Sequence, residues 1–371
     1  MGSLPSPPSP QSPASNYQIY ASFCQRKQGQ NTYTCNRIEC YNPSNNTWSY
    51  ATSIPRQTDS HFLKGFAMVS LGDYVFIIGG RQYKESARPG TQDSEEYVDE
   101  DVKILPWVWR YNVRSNQWFE CAPLGTPRCD FAFSVCENKI YVAGGQSDMT
   151  CARGVASAEM YDPLLDIWTP LPDMMIRRYK CAGVTWQGKF HVVGGFADPV
   201  DASPGAFGWE RSSAEMYDTQ ARRWDLVKGM WQLDVPPNQI VPVNGRLFSC
   251  GDCLNAWKGH IEVYDGLGMV NIWEEVAGSQ EALGGSPISH TSEANHEDWQ
   301  PNQRLYLTMA PIGTCLYILA GCRRASDLSR TTSRVHIYDT SATTDAWRSV
   351  VPIEEEGLKE FCSHCCVNVQ L

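Results

Sequence analysis

Four arginines, Arg81, Arg128, Arg177 and Arg178, could carry recognition chemistry in this chain. Arg81 directly follows Gly79-Gly80, Arg128 stands two residues before Asp130, and Arg178 follows Arg177. A guanidinium is planar and always charged, and it can fork two hydrogen bonds onto one carboxylate. These side chains could therefore bind acidic groups of a ligand, or pair locally, as Arg128 with Asp130. The opposite sign gathers in the 81–106 insert, where Asp93, Glu95, Glu96, Asp99, Glu100 and Asp101 surround Tyr97 and precede Trp107. That run reads either as a solvated acidic loop or as a dock for a basic partner. A third cluster, His290, Glu293, His296, Glu297 and Asp298, mixes imidazoles with carboxylates. Its spacing fits no helix-borne metal site and its loop is rich in Ser, Gly and Asn. No metal or other cofactor is expected; His290 and His296 are the candidate ligands should one bind. Two Cys-x-x-Cys spacings, Cys250–Cys253 and Cys362–Cys365, fall at strand positions, where free cysteine acts as a small hydrophobe. No residue stands out as a nucleophile.

These groups must be placed by a repeated element. A tyrosine is followed seven residues later by a tryptophan in Tyr41–Trp48, Tyr111–Trp118, Tyr161–Trp168 and Tyr217–Trp224, and nine later in Tyr264–Trp273 and Tyr338–Trp347. Apolar strands ending in two glycines, at 77–80, 142–145 and 192–195, precede three of the pairs. In the cleanest copy, residues 127–174, two strands turn at Glu137-Asn138 and two more turn at Asp162-Pro163. A four-stranded meander cannot bury both faces alone, so it must stack on neighbours around an axis. The regular aromatic spacing then means packing between neighbours, at roughly 2–3 kcal/mol for each buried ring.

Composition narrows the function. The chain has 371 residues and a formal net charge of −10, which disfavours nucleic acid and anionic membranes as partners. Residues 1–16 hold five prolines and five serines, the composition of a disordered tail, and lack the pattern of a signal peptide. A reduced cytosolic or nuclear setting is therefore expected despite fifteen cysteines.

The unit strand–GG–loop–(Glu)-x-Tyr-(Asp/Asn)-x5-Trp resembles the kelch motif over residues 17–371, and the resemblance is to the propeller part of plant F-box/kelch proteins. It implies an all-β, six-bladed kelch β-propeller, with Cys362 to Leu371 supplying the innermost strand that blade one lacks. Turns on one rim are short, while the other rim carries the long segments 23–36, 81–106, 146–156, 196–212 and 280–302, so binding is expected there. In kelch domains of ubiquitin-ligase adaptors, arginines at matching positions bind acidic peptides. The resemblance passes that role to Arg81, Arg128 and Arg178, beside Asp130 and the acidic residues Glu95, Glu96 and Asp99. The function expected is a monomeric, non-catalytic module that binds a protein or peptide. The alternative is a small-molecule enzyme of specialised metabolism working in the axial funnel. It would resemble specifier-type kelch proteins, yet their Glu-x3-Asp-x3-His triplet is represented only by Glu95-x3-Asp99-x3-Lys103.

Overall fold

The computed structural model describes residues 17–26, 36–55, 61–88, 96–150, 153–199, 210–233, 235–251, 260–266, 272–283, 303–324 and 327–369. Within them the chain is built from strands, with one four-residue helix, Ser279–Ala282. The strands form antiparallel sheets of four, written here from the inner edge outward. Sheet one is Leu358–Val369, Tyr17–Arg26, Arg37–Asn42 and Thr47–Ser53. Sheet two is Ala67–Leu71, Tyr74–Ile78, Val108–Asn112 and Gln117–Cys121, and sheet three is Ala132–Cys136, Lys139–Ala143, Ala158–Asp162 and Ile167–Leu171. Sheet four is Ala182–Trp186, Lys189–Val193, Ala214–Asp218 and Arg223–Val227. Sheet five is Ile240–Val243, Arg246–Ser249, Glu262–Tyr264 and Glu274–Glu275. Sheet six is Gln303–Ile312, Cys315–Arg324, Asp327–Asp339 and Trp347–Ser349, with Ile353–Glu356 pairing beside its long third strand.

Each inner strand touches the inner strand of the next sheet, and that of sheet six touches Leu358–Val369 of sheet one. The last strand of the chain thus pairs antiparallel with the first, from Tyr17 opposite Val369 to Arg26 opposite Leu358. Close approach at the axis needs small residues. A Cβ on Gly183 would strike the Phe133 backbone of the neighbouring inner strand. The tight inner turns use left-handed backbone, as at Glu137 (φ 50°) and Asn138 (φ 56°), which matches the twist of a two-residue hairpin.

Every Tyr–Trp pair packs ring against ring, with centroids from 4.8 Å for Tyr338–Trp347 to 5.4 Å for Tyr264–Trp273. The partners are cross-strand neighbours on the outer two strands, as Tyr161 opposite Trp168. The seven-residue spacing is what such a hairpin requires. The Tyr161 hydroxyl donates to Asp166 Oδ1 (2.6 Å), a turn residue at φ 54°, and Tyr41 and Tyr111 treat Asn46 and Asn116 alike. Trp118, Trp168, Trp224, Trp273 and Trp347 then reach backward. Trp168 Nε1 donates to the Ala122 carbonyl (2.9 Å), Trp224 to Pro172 (2.8 Å) and Trp273 to Met230 (2.7 Å), all just past the outer strand of the preceding sheet. The motif therefore joins sheets as well as filling space between them.

The long segments depart from the loop expectation. Residues 81–106 contain a hairpin, Arg81–Arg88 with Glu96–Ile104, and His61–Lys64 pairs with it to make a three-stranded sheet. Likewise Phe196–Pro199 pairs with Ile176–Tyr179. Sequence inspection saw charge here and read a loop, but Tyr83 packs inward, stacked on Phe62 at 5.6 Å. Deletion of residues 362–371 should lower the melting temperature by at least ~10 °C or abolish the cooperative transition. Thermal unfolding checks this, and a melt equal to the full chain's would show that the last strand does not hold the fold.

Candidate functional site

The inner strands enclose an axial cavity of about 570 Å³. Its mouth on the long-segment rim is formed by the short stretches that lead into those strands: Lys64-Gly65, Asp130, Lys180, Asn238 and Phe361. Backbone bonds stitch the stretches together. Asp130 N donates to Gly65 O (2.8 Å), and Lys180 N donates to Asp130 O (2.7 Å). Phe66, Phe131, Phe133, Met309 and Phe361 make much of the wall apolar, and His364 lines it from the last strand. Enclosure pulls the His364 imidazole down to about 4, so it is neutral at physiological pH.

Arg128 and Arg178 lie beneath this mouth, not on it. Both are fully buried, which corrects the expectation that they face a ligand. Arg128 Nη1 donates to the Gly144 and Ser157 carbonyls (both 2.8 Å), and Nη2 donates to Ser157 Oγ (2.9 Å) and Glu159 Oε1 (3.0 Å). Arg178 repeats the pattern on Gly194 O (2.8 Å), Ser213 Oγ (2.5 Å) and Glu215 Oε1 (3.3 Å). The partner of Arg128 is Glu159, two residues before the repeat tyrosine, rather than the nearby Asp130. Each carboxylate also accepts two backbone N–H groups of the preceding connector: Glu159 from Gly125 and Thr126, Glu215 from Met175 and Ile176. Burial pulls both guanidinium groups below their ordinary range, and the facing carboxylates pull back toward the charged form. In sheet one the pair is Lys359–Glu39 (2.6 Å), with Glu355 at 2.5 Å as second acceptor. The signal in the sequence was the Glu-x-Tyr of the repeat, which places a carboxylate opposite each arginine.

Arg81 is different. It keeps 16% of its side chain exposed, meets Asp101 Oδ2 at 3.3 Å and donates to Gln146 Oε1 at 2.5 Å. It therefore bridges the hairpin of sheet two to the rim of sheet three. Asp130 stands beside it at left-handed φ 53°. Burial raises the Asp130 carboxyl above the usual carboxylate range, while Lys180 and Arg81 pull it back. Burial likewise pushes the Cys129 thiol up to about 12. Lys64 pairs with Glu360 of the last strand and sits over the Phe62 and Tyr83 rings. Arg153, a cation that sequence reasoning did not name, is exposed, and Arg177, which it placed on the same rim, is half-buried.

Of the acidic residues, Glu96 and Asp99 lie on the second strand of the hairpin, and Glu100 and Asp101 follow there with exposed side chains. Glu95, His290 and His296 lie outside the described residues. Cys362 and Cys365 do not converge: the first packs with Cys24, the second with Thr308 and Met309. The arrangement offers a charged, mixed-sign fringe around a largely apolar funnel. Such a surface is chemically suited to charged groups at its edge and apolar groups within.

A family model described as Kelch motif matches residues 127–175 and 303–352. The F-box/kelch-repeat protein At1g16250 of Arabidopsis thaliana is 30% identical over 219 residues, covering 58% of this chain and 52% of that protein. F-box/kelch-repeat protein SKIP30, also of Arabidopsis thaliana, is 32% identical over 156 residues, covering 42% and 41%. Kelch-like protein 36 of Mus musculus is 25% identical over 197 residues, covering 50% and 26%. The chain thus spans about half or less of the length of these relatives. A solved structure, that of YjhT, aligns with a TM-score of 0.49 at 14% identity, covering 85% of this chain and 91% of that one.

The buried pairs and the rim residues should separate cleanly in urea unfolding. Arg128→Ala or Arg178→Ala leaves a carboxylate buried without its counter-ion and should cost about 3–5 kcal/mol. Arg81→Ala removes a long contact to an exposed carboxylate and should cost about 1 kcal/mol. For Asp130, the raised folded value means that above the ordinary pKa of about 3.9 the folded chain keeps a proton the unfolded chain has lost. Its contribution to stability therefore falls as pH rises through that window. Asp130→Asn should stabilise the protein at neutral pH, with a gain that fades below about pH 4. A pH series of melting temperatures checks the sign.

Proposed function

We propose that this chain, a kelch-repeat β-propeller protein that resembles the F-box/kelch proteins of plants, is a non-catalytic module that binds a protein or peptide partner. It acts as a closed, six-bladed disc in the cytosol or nucleus, and its partner sits on the long-segment rim. One observation carries the reading. Among the described residues, part of the sequence in excess of the four-stranded sheets is folded into strands, as the sheet of His61–Lys64, Arg81–Arg88 and Glu96–Ile104 and the pair Ile176–Tyr179 with Phe196–Pro199. Ordered strands beside the mouth cost little to organise on binding, which is what a docking platform needs.

The cations available to an acidic partner are Arg81, Arg153, Arg177 and Lys180, with Asp130 at the centre of the mouth. Arg128 and Arg178 contribute by holding the lead-in segments in place. The acidic strand that holds Glu96, Asp99 and Asp101, with Glu95 before it, faces the complementary part of the partner. A mixed-sign fringe steers encounter and rejects partners of the wrong charge pattern.

Charge reversal at the rim tests this. The double variant Arg81→Glu with Lys180→Glu should lose stoichiometric capture of the partner from native extract while its melting temperature stays within a few degrees of the parent's. Undiminished capture by a folded double variant would overturn the assignment. Reversal at Arg128 and Arg178 reads out folding instead, and so serves as the control.

A further inference from the structure

Two thiols meet where the last strand closes on the first. Cys24 lies on Tyr17–Arg26 and Cys362 on Leu358–Val369, 338 residues apart in sequence, and their sulfur atoms are 3.1 Å apart. Both are buried in the same apolar cluster, with Tyr20, Ile38, Phe62 and Met68. The residue directly opposite Cys24 is Glu360, so Cys362 stands two positions along and projects from the same face. A disulfide bond is about 2.05 Å long, so the sulfurs need to approach by only about 1 Å. The register between the two strands shifts at Ser22, beside this pair, and an irregular ladder gives the backbone room for that approach. Cys40 and Cys366 lie in the same cluster, while Cys365 Sγ is engaged elsewhere, with Thr308 Oγ1 and the Met309 carbonyl, both at 3.2 Å.

We propose that Cys24 and Cys362 form a reversible disulfide that staples the C-terminal strand to the N-terminal one. The oxidant is a hydroperoxide. One thiolate attacks the peroxide oxygen, breaking the O–O bond and leaving a sulfenic acid and, from hydrogen peroxide, one water. The second sulfur then displaces the sulfenic oxygen, which leaves with a proton as a second water. Two thiols lose two electrons in all and one peroxide is reduced. Thiol–disulfide exchange with a small dithiol reverses the bond. Both thiols are closed inside the apolar cluster, so a hydroperoxide reaches them slowly while the strands stay paired. Bond formation therefore follows transient lifting of the last strand, and the bond then suppresses that lifting.

The full chain, treated with hydrogen peroxide and then digested without reductant, tests this by mass spectrometry. A Cys24–Cys362 linked peptide pair, 2 Da lighter than its reduced parts, is expected. The oxidised chain should melt about 5 °C higher than the same sample after dithiothreitol. Cys24→Ser and Cys362→Ser should each abolish both the linked pair and the shift, while Cys40→Ser keeps them. Peroxide treatment that yields sulfinic acid at these cysteines, links them to other thiols or leaves both thiols free would overturn the proposal. So would a melting shift that survives in Cys24→Ser and Cys362→Ser.

Discussion

One buried interaction, made in sheets three and four, ties each of these sheets to the one before it. A guanidinium at the head of an inner strand is held by the carbonyl of a glycine, by the serine before the third strand and by the glutamate within that strand. Its own backbone carbonyl accepts a hydrogen bond from the second glycine of the preceding sheet, Gly80 N to Arg128 O and Gly145 N to Arg178 O, both 2.7 Å. A Cβ on the first glycine of each pair, Gly79 or Gly144, would collide with that same carbonyl. The double glycine and the arginine are two halves of one joint. Because the charges have no access to water, each half requires the other: an unpaired charge in such a place costs several kcal/mol.

The aromatic pairs do the corresponding work at the outer edge. Tyrosine fixes the turn of its own hairpin and tryptophan bonds back to the previous sheet, so inner and outer joints both run between neighbours. Stability is therefore shared around the ring, and the rims are left free to vary. Function can occupy the long-segment rim without touching either joint. That division explains why the charged residues of the mouth, Arg81, Asp130 and Lys180, differ from one lead-in stretch to the next while the buried pairs repeat.

Much of the fold was legible in the sequence. The Tyr–Trp spacing, the glycine pairs and the turn residues are local signals, each needed within one hairpin, so they survive in a linear reading. The candidate site was legible only in part. Arg128 and Arg178 were read as ligand-facing but lie buried, since a strand head looks exposed until its guanidinium is seen to fold under the mouth. The 81–106 insert looked like a charged loop because its polarity hides a hairpin whose stability comes from His61–Lys64 and Phe62, some twenty residues earlier.

The sequence by itself determined an all-β repeat, its motif and the rim that carries excess chain, because these follow from periodicity and turn chemistry within some fifty residues. Only the tertiary structure decided which arginine is buried and which is available, which glutamate faces it, and that Cys24 meets Cys362 across 338 residues. The reason is physical. Burial and pairing are properties of what the rest of the chain brings alongside a residue, and in a ring those neighbours come from the next sheet or from the opposite end of the chain.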